Sequence, residues 1–143
     1  MKKFYLLIIL SMIFSSCQKT EDLISPYHYM VIPKVQNFKI DGVDSTLTNK
    51  LRVKMSWTLP DTNNLRYFEI YRSQKTNDNF RIIVSNYKDF SFADSSLPSF
   101  KDSLKLFYLV YVVGNKVDPR TGTQVAFVGP PSDTAIITIK IKK

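Results

Sequence analysis

The segment LRVKMSWTLP, residues 51–60, determines the fold class of this chain. From Leu51 to Trp57, apolar residues occupy the odd positions and polar residues the even positions. Successive side chains of an extended strand point to opposite sides, so this alternation places every apolar residue on one face. Pro60 closes the run, because proline cannot donate a hydrogen bond to a neighbouring strand. The segment is therefore predicted to form a β-strand with one buried face.

Further runs along the chain are rich in β-branched and aromatic residues, and Gly, Pro, Asn and Asp lie between them. No window shows a convincing helical period. Six or seven short strands at this spacing predict an all-β antiparallel sandwich of two packed sheets. The roughly 110 residues from position 33 onward suit one domain. The additional strand-like runs are residues 35–40, 65–72, 80–84, 104–113 and 135–141.

The order of these motifs resembles the fibronectin type III family from position 33 to about position 141. The tryptophan and following proline of residues 51–60 come first, and YFEIYR at residues 67–72 matches the third strand. FADSSL at residues 92–97 is similar to the element that leads into the corner before the sixth strand, and YLVYV at residues 108–112 matches the sixth. The resemblance implies a seven-stranded antiparallel β-sandwich of the fibronectin type III type.

One segment departs from the family pattern. The loop over residues 115–129 is longer than the usual hairpin and has its own apolar run at residues 125–128. We expect an extended loop or an extra β-hairpin there, before Ser132 opens the last strand. The turn of that hairpin is predicted at Pro119, Arg120, Thr121 and Gly122.

Residues 1–16 have the layout of a secretory signal peptide, with two lysines, an apolar run over residues 4–14 and two serines before Cys17. As a helix the apolar run would reach roughly 16 Å, which is too short for a ~30 Å hydrocarbon core. The pattern resembles a bacterial lipoprotein signal, which implies that Cys17 is lipidated after cleavage. A plain secretory signal with an incidental cysteine is the alternative. Because Cys17 is the only cysteine, no internal disulfide can form.

The segment after Cys17 reads as a tether. Residues 17–32 have no sustained period, so the domain organisation is expected to be a signal peptide at 1–16, a lipidated tether at 17–32 and a sandwich domain at 33–143. Glu21 and Asp22 resemble a surface-export signal of Bacteroidetes-type lipoproteins. The expected location is the cell envelope, with the lipid anchor in the outer membrane. Both orientations, facing the periplasm and facing the cell surface, fit the sequence.

The chain is basic, with 20 Lys and Arg against 12 Asp and Glu and a formal charge of +8. Loss of residues 1–16 removes two lysines and leaves +6. The positive residues are dispersed singly, whereas nucleic-acid binding favours a stripe of Lys and Arg with interleaved aromatic residues. We therefore expect no nucleic-acid partner.

The domain lacks the usual catalytic side chains. His28, the only histidine, lies in the tether with Cys17, so no histidine base or histidine metal cluster can form within residues 33–143. Most aspartates fall at predicted turns, where Asp bonds the backbone: Asp41 and Asp44 are assigned to a loose turn, and Asp94 to the corner before the sixth strand. We expect a non-catalytic protein without cofactor or metal.

The outer faces of the predicted third and sixth strands carry an unusual number of apolar residues. If Phe68 and Ile70 point inward, Tyr67 and Tyr71 point outward, and the same alternation turns Leu109, Tyr111 and Val113 outward on the sixth strand. Trp57 is assigned to the core. The predicted partner-binding residues are Tyr67, Tyr71, Leu109, Tyr111 and Arg120.

Three interpretations of this face are open. Residues 125–128 or residues 27–32 could cover it from within the chain. Otherwise it binds an envelope or surface protein, because large exposed apolar patches mark interaction sites. In the third interpretation, the exposed tyrosines stack on the sugar rings of a glycan. The expected function is thus a lipid-anchored binding or scaffolding module, with a glycan-binding accessory lipoprotein as the alternative.

Overall fold

The computed structural model describes residues 32–46, 50–75, 78–117 and 121–141. All the regular structure in these ranges is β-strand, which confirms the all-β prediction. The strands are β1 (Gln36–Ser45), β2 (Leu51–Thr58), β3 (Leu65–Ser73), β4 (Arg81–Tyr87), β5 (Ser91–Asp94), β6 (Ser103–Val117), β7 (Gln124–Val128) and β8 (Ala135–Lys140).

The strands form two antiparallel sheets. Three strands pair in the order β1-β2-β5, and five pair in the order β4-β3-β6-β7, with β8 also paired to β6. The fold is thus an antiparallel β-sandwich of two sheets, as predicted, with eight strands in place of the seven of the predicted pattern. The expected extra hairpin is present as β6 and β7, and Gly122 lies in its turn at a φ of 67°, a conformation that glycine adopts without strain.

β6 is the longest strand because it pairs with two partners in succession. Its first half pairs with β8 and its second half with β7. Pro130 and Pro131 lie between those partners and have no amide hydrogens to donate. Ser132 supplies the missing contacts: its amide donates to the carbonyl of Val110 at 2.9 Å, and its Oγ accepts from the Val110 amide at 2.9 Å. The two prolines therefore separate β7 from β8 along one edge of β6.

The core lies between the sheets and uses the predicted inward faces. Val53, Met55 and Trp57 of β2 are buried, as are Phe68 and Ile70 of β3. The Trp57 ring packs at 5.4 Å on the Phe68 ring, which confirms its assignment to the core. Its Nε1 has no hydrogen-bond partner within the described residues.

The predicted turn at Asp41 and Asp44 is wrong. Both residues lie within β1, which continues to Ser45 through a bulge between Ile40 and Gly42. Gly42 takes a φ of 153°, which side-chain-bearing residues rarely adopt, so the strand bends there without ending. Asp44 then lies opposite Arg52 of β2 and forms ion pairs with Arg52 and Lys54. Hydrogen bonds from these two cations hold the pKa of the Asp44 carboxyl well below its usual range.

Candidate functional site

Five side chains of β3 and β6 meet on the outer face of the five-stranded sheet, where the sequence predicted them. The two strands are antiparallel neighbours, with Tyr67 opposite Val113 and Tyr71 opposite Leu109. Tyr111 lies between these pairs, opposite Glu69. We call Tyr67, Tyr71, Leu109, Tyr111 and Val113 the outer cluster.

The outer cluster is packed separately from the core. Leu109 and Val113 are 8% and 1% exposed, yet neither belongs to the core formed between the sheets. Tyr67, Tyr71 and Tyr111 are half-buried. The aliphatic members are therefore less accessible than the sequence predicted, and the tyrosine rings provide most of the contact surface.

Tyr71 and Tyr111 form the centre of the cluster. Their ring centroids are 5.1 Å apart and the ring planes are inclined at 65°, an edge-to-face contact. The Tyr71 hydroxyl donates to Oε2 of Glu69 at 3.0 Å. Burial, together with that hydrogen bond to a carboxylate, raises the pKa of Tyr71 to about 12. The phenol is therefore neutral and held in one orientation at physiological pH.

Exposed aliphatic side chains extend the cluster onto the neighbouring strands. Ile82 of β4 lies opposite Tyr71, and Val128 of β7 lies opposite Val113. Ile136 of β8 lies opposite Phe107, which is buried on the same face. Ile82, Val128 and Ile136 are 51%, 60% and 54% exposed, so they form an apolar rim around the tyrosines.

Sequence reasoning missed Phe107 and this rim. The alternation that turns Leu109 outward also turns Phe107 outward, so extending the pattern by two residues would have found it. The rim residues could not be found in that way, because their position depends on which residue of a neighbouring strand they face. Two predicted functional residues, Cys17 and Arg120, lie outside the described residues, as do Pro119 and His28.

Of the two predicted covers, residues 125–128 do not lie over the outer cluster, and residues 27–32 are described only at Ile32. Residues 125–128 belong to β7, which lies beside β6 in the plane of the sheet and keeps all five of its residues exposed. Ile32 packs against the core, close to Gly114 and Gly129. Residues 27–31 lie outside the described ranges.

A second polar cluster, which the sequence predicted only in part, joins the two sheets. Asp94, at the end of β5, is 1% exposed. Its Oδ1 accepts a hydrogen bond from the Ser96 amide at 3.0 Å, as expected for a corner residue. Its Oδ2 accepts from the Tyr108 hydroxyl of β6 at 2.8 Å and forms an ion pair with Arg72 of β3 at 2.5 Å.

These contacts fix the charge state of the cluster. Burial alone would raise the pKa of Asp94, but hydrogen bonds from Ser96, Arg72 and Tyr108 outweigh it and lower the pKa. The pKa of Tyr108 is raised, chiefly by burial and then by the charge of Asp94. The result is an ionised carboxylate and a neutral phenol that are both buried between the sheets.

The remaining features of the described residues concern metal ligands, a recess and membrane-spanning helices. They contain no group of three or more His, Cys, Asp or Glu that could hold a metal ion. A recess of about 470 Å³ lies at the turn between β3 and β4, with Arg72, Lys75 and Arg81 in its lining. Arg72 is already bound to Asp94 there. Over the same ranges, no helix is long and apolar enough to cross a membrane.

Comparison with known proteins gives likeness of structure only. No protein-family model matches the chain, and no curated protein matches it significantly. One similar solved structure is a Fn3-like protein from Clostridium thermocellum, with a TM-score of 0.46 and 16% identity, covering 73% of this chain and 91% of that one. Another, described as a myokine structure, has a TM-score of 0.47 and 14% identity, covering 78% of this chain and 98% of that one.

Proposed function

We propose that this chain is a lipid-anchored, non-catalytic module of the cell envelope that binds a protein partner through the outer cluster and its rim. The observation that carries the proposal is the continuity of apolar side chains across β4, β3, β6 and β8, with Ile82 and Ile136 more than half exposed. An apolar surface rimmed in this way is typical of protein interaction sites. Tyrosine, which provides an apolar ring and a polar hydroxyl, is enriched in such sites.

The packing of the tyrosines favours a protein over a glycan. Stacking on sugar rings needs flat, accessible aromatic faces, whereas Tyr71 and Tyr111 are half-buried and their planes are inclined at 65°. The Tyr71 hydroxyl is also bound to Glu69. A surface of ring edges and aliphatic side chains suits the apolar centre of a protein interface.

The anchor is the second part of the proposal. It rests on the signal-like residues 1–16 and on Cys17, which is followed by a tether that leads to the domain. A single acyl chain holds a protein at a membrane only marginally, whereas two or more make the attachment durable. Lipidation of Cys17 on both sulfur and amine would therefore retain the domain at the envelope.

Cys17→Ser tests the anchor. The variant should move from the membrane fraction to the soluble fraction, because serine cannot accept the thioether-linked lipid. Metabolic labelling with a radiolabelled fatty acid should mark the wild-type chain and not the variant. Retention of the variant in the membrane fraction together with an unlabelled wild-type chain would contradict the anchor.

Rim substitutions test the binding surface. Ile82→Lys with Ile136→Lys should reduce recovery of crosslinked partners from the membranes of the producing cells at least about tenfold, with little change in melting temperature, because both side chains are mostly exposed. Val43→Lys on the opposite sheet is the matched control and should retain recovery. Tyr71→Ala with Tyr111→Ala should reduce recovery too. Loss of the ring–ring contact should lower the free energy of unfolding by about 0.5–1.5 kcal/mol, in addition to the loss of buried ring area. Equal recovery of partners from all variants would refute the assignment of the outer cluster and its rim as the binding surface.

A further inference from the structure

In the part of the chain that the structure describes, β7 is an edge strand without the charge, proline or bulge that usually protects such an edge. All five of its residues, QVAFV, are exposed, including Phe127 and Val128. Natural edge strands are protected by charges, prolines, bulges or short length, because their free backbone groups can pair with another strand. β1, β4, β5 and β8 each contain a charged residue, whereas β7 contains none and pairs with β6 in unbroken register.

The free backbone groups of β7 can be identified from its pairing with β6. The Gly129 amide donates to the Val112 carbonyl at 2.8 Å. Hydrogen-bonded pairs alternate along an antiparallel ladder, so Phe127 and Val125 also bond to β6. The amides and carbonyls of Gln124, Ala126 and Val128 therefore point away from it.

The opposite side of β6 supports this alternation. Asn115 is the partner of Ala126 in the register, and its amide donates to the Asn64 carbonyl at 2.9 Å on the β3 side of the strand. Its bonding groups therefore face away from β7, as the alternation requires. The backbone groups of Ala126, at the centre of β7, therefore point to an edge with which no strand pairs within the described ranges.

We propose that β7 pairs antiparallel with β7 of a second copy of this chain, centred on Ala126. In this register Ala126 faces its own counterpart, and Gln124 faces Val128 of the other copy. The backbone groups of Gln124, Ala126 and Val128, which point away from β6, then all find hydrogen-bond partners in the other copy. The strand is therefore complementary to itself. Val125 faces Phe127 of the other copy at a non-hydrogen-bonded position, where an aromatic and a β-branched side chain pair favourably.

This pairing would join two sandwiches through one continuous sheet. The two-fold axis is perpendicular to the sheet, so the outer clusters of both copies lie on the same side. Val128 borders Val113 of the outer cluster, which makes the strand pair continuous with the proposed binding surface. A dimer would therefore present two copies of that surface to a partner.

The small area of the interface determines the expected affinity between the two copies. A pair of five-residue strands buries less than the ~1,600 Å² of a standard stable interface, so association in dilute solution should be weak. Confinement to one membrane raises the effective concentration of the copies, a step that rests on the proposed lipid anchor. Measurements at high protein concentration in detergent test the dimer without relying on the lipid anchor.

Disulfide trapping tests the register. Ala126→Cys is introduced into the full chain and oxidised with copper phenanthroline in membranes and in concentrated detergent solution. In a hydrogen-bonded antiparallel pair, opposing Cα atoms are about 5.5 Å apart, within the range a disulfide spans. We expect at least about tenfold more crosslinked dimer than for Ser85→Cys on β4, at the other edge of the sheet. The unsubstituted chain run alongside reports any crosslinking through Cys17.

A charge exchange tests the pairing without a crosslink. Ala126→Lys or Ala126→Glu places two like charges across the axis, and each variant alone should self-associate at least about tenfold more weakly than the wild type in sedimentation experiments. Mixing the two should restore dimers, because the charges are then opposite. Both variants should keep the wild-type melting temperature, since the backbone bonds to β6 do not involve Ala126.

The proposal is overturned if the wild type sediments as a monomer at high concentration, or if the Lys variant associates as strongly as the wild type. It is also overturned if Ser85→Cys crosslinks as efficiently as Ala126→Cys. A Cys17→Ser chain that stays in the membrane fraction and still dimerises at high concentration in detergent would contradict the anchor and leave the strand pairing supported. The experiments can therefore contradict the lipid anchor without contradicting the strand pairing, and the reverse.

Discussion

Asp94 links the two sheets through buried polar contacts. It belongs to the three-stranded sheet, whereas its partners Arg72 and Tyr108 belong to the five-stranded sheet. A buried carboxylate is costly unless its charge is compensated, and here a guanidinium and a hydroxyl compensate it. The cluster thus fixes the relative position of the sheets at one point.

Replacement of Asp94 by Asn should destabilise the domain by about 3 kcal/mol, because Arg72 is left as an uncompensated, mostly buried charge. The free energy of unfolding in urea measures this loss. The double variant Asp94→Asn with Arg72→Met should recover part of it, since neither charge remains. Equal stability of the single and double variants would contradict the ion pair as the cause.

Single residues also show where sequence reasoning reaches its limit. The sequence placed Asp94 at a corner, and its bond to the Ser96 amide agrees with that local role. Its contacts with Arg72 and Tyr108 depend on residues 22 and 14 positions away. No local pattern could predict them, because they arise only when the sheets pack.

At the scale of elements, the hairpin of β6 and β7 is the feature that departs most from a simple sandwich. Two adjacent prolines separate β7 from β8, and the two strands pair in succession along one edge of β6. The sequence predicted the hairpin from loop length and an apolar run. It did not predict that the run would extend the sheet rather than cover its face.

Gly114 marks a close approach at the base of this hairpin. A Cβ at this position would lie 2.8 Å from the backbone oxygen of Asn64 and 3.0 Å from Cδ1 of Ile32. Gly114→Ala should therefore lower the free energy of unfolding by about 1–3 kcal/mol, the usual cost of overpacking.

The control for Gly114 is Gly122→Asn in the turn. Gly122 has a φ of 67° and no atom within 4 Å of a built Cβ, and asparagine tolerates that conformation. Its urea midpoint should stay close to that of the wild type. A Gly114→Ala variant as stable as this control would show that the segment around Ile32 and Asn64 yields easily.

For the whole molecule, Asp94 and Tyr108 define a pH window of stability. The lowered pKa of Asp94 contributes stability above about pH 4, the unfolded value, and this is lost as pH falls. The raised pKa of Tyr108 contributes stability below about pH 10 and is lost as pH rises. Tyr71, with its pKa of about 12, adds to the alkaline loss.

The melting temperature should therefore be nearly constant from about pH 5 to 9 and fall on both sides. Asp94→Asn should flatten the acid side, and Tyr108→Phe should flatten the alkaline side. The remaining acid dependence reports other carboxylates, including Asp44 with its ion pairs to Arg52 and Lys54. A wild-type melting temperature that keeps rising above pH 10 would contradict the assignment.

The amino-acid sequence by itself determined most of the strands, their inward faces and the extra hairpin, but not the second half of β1 or the strand β5. These follow from the two-residue period of extended backbone and from turn-forming residues, which act over a few neighbouring positions. It also determined that Tyr67, Tyr71, Leu109 and Tyr111 share one face. The tertiary structure decided which side chains meet: the rim around the tyrosines, the partners of Asp94 and the exposed edge of β7. Such contacts depend on register and sheet packing between distant segments, and local alternation carries no information about either.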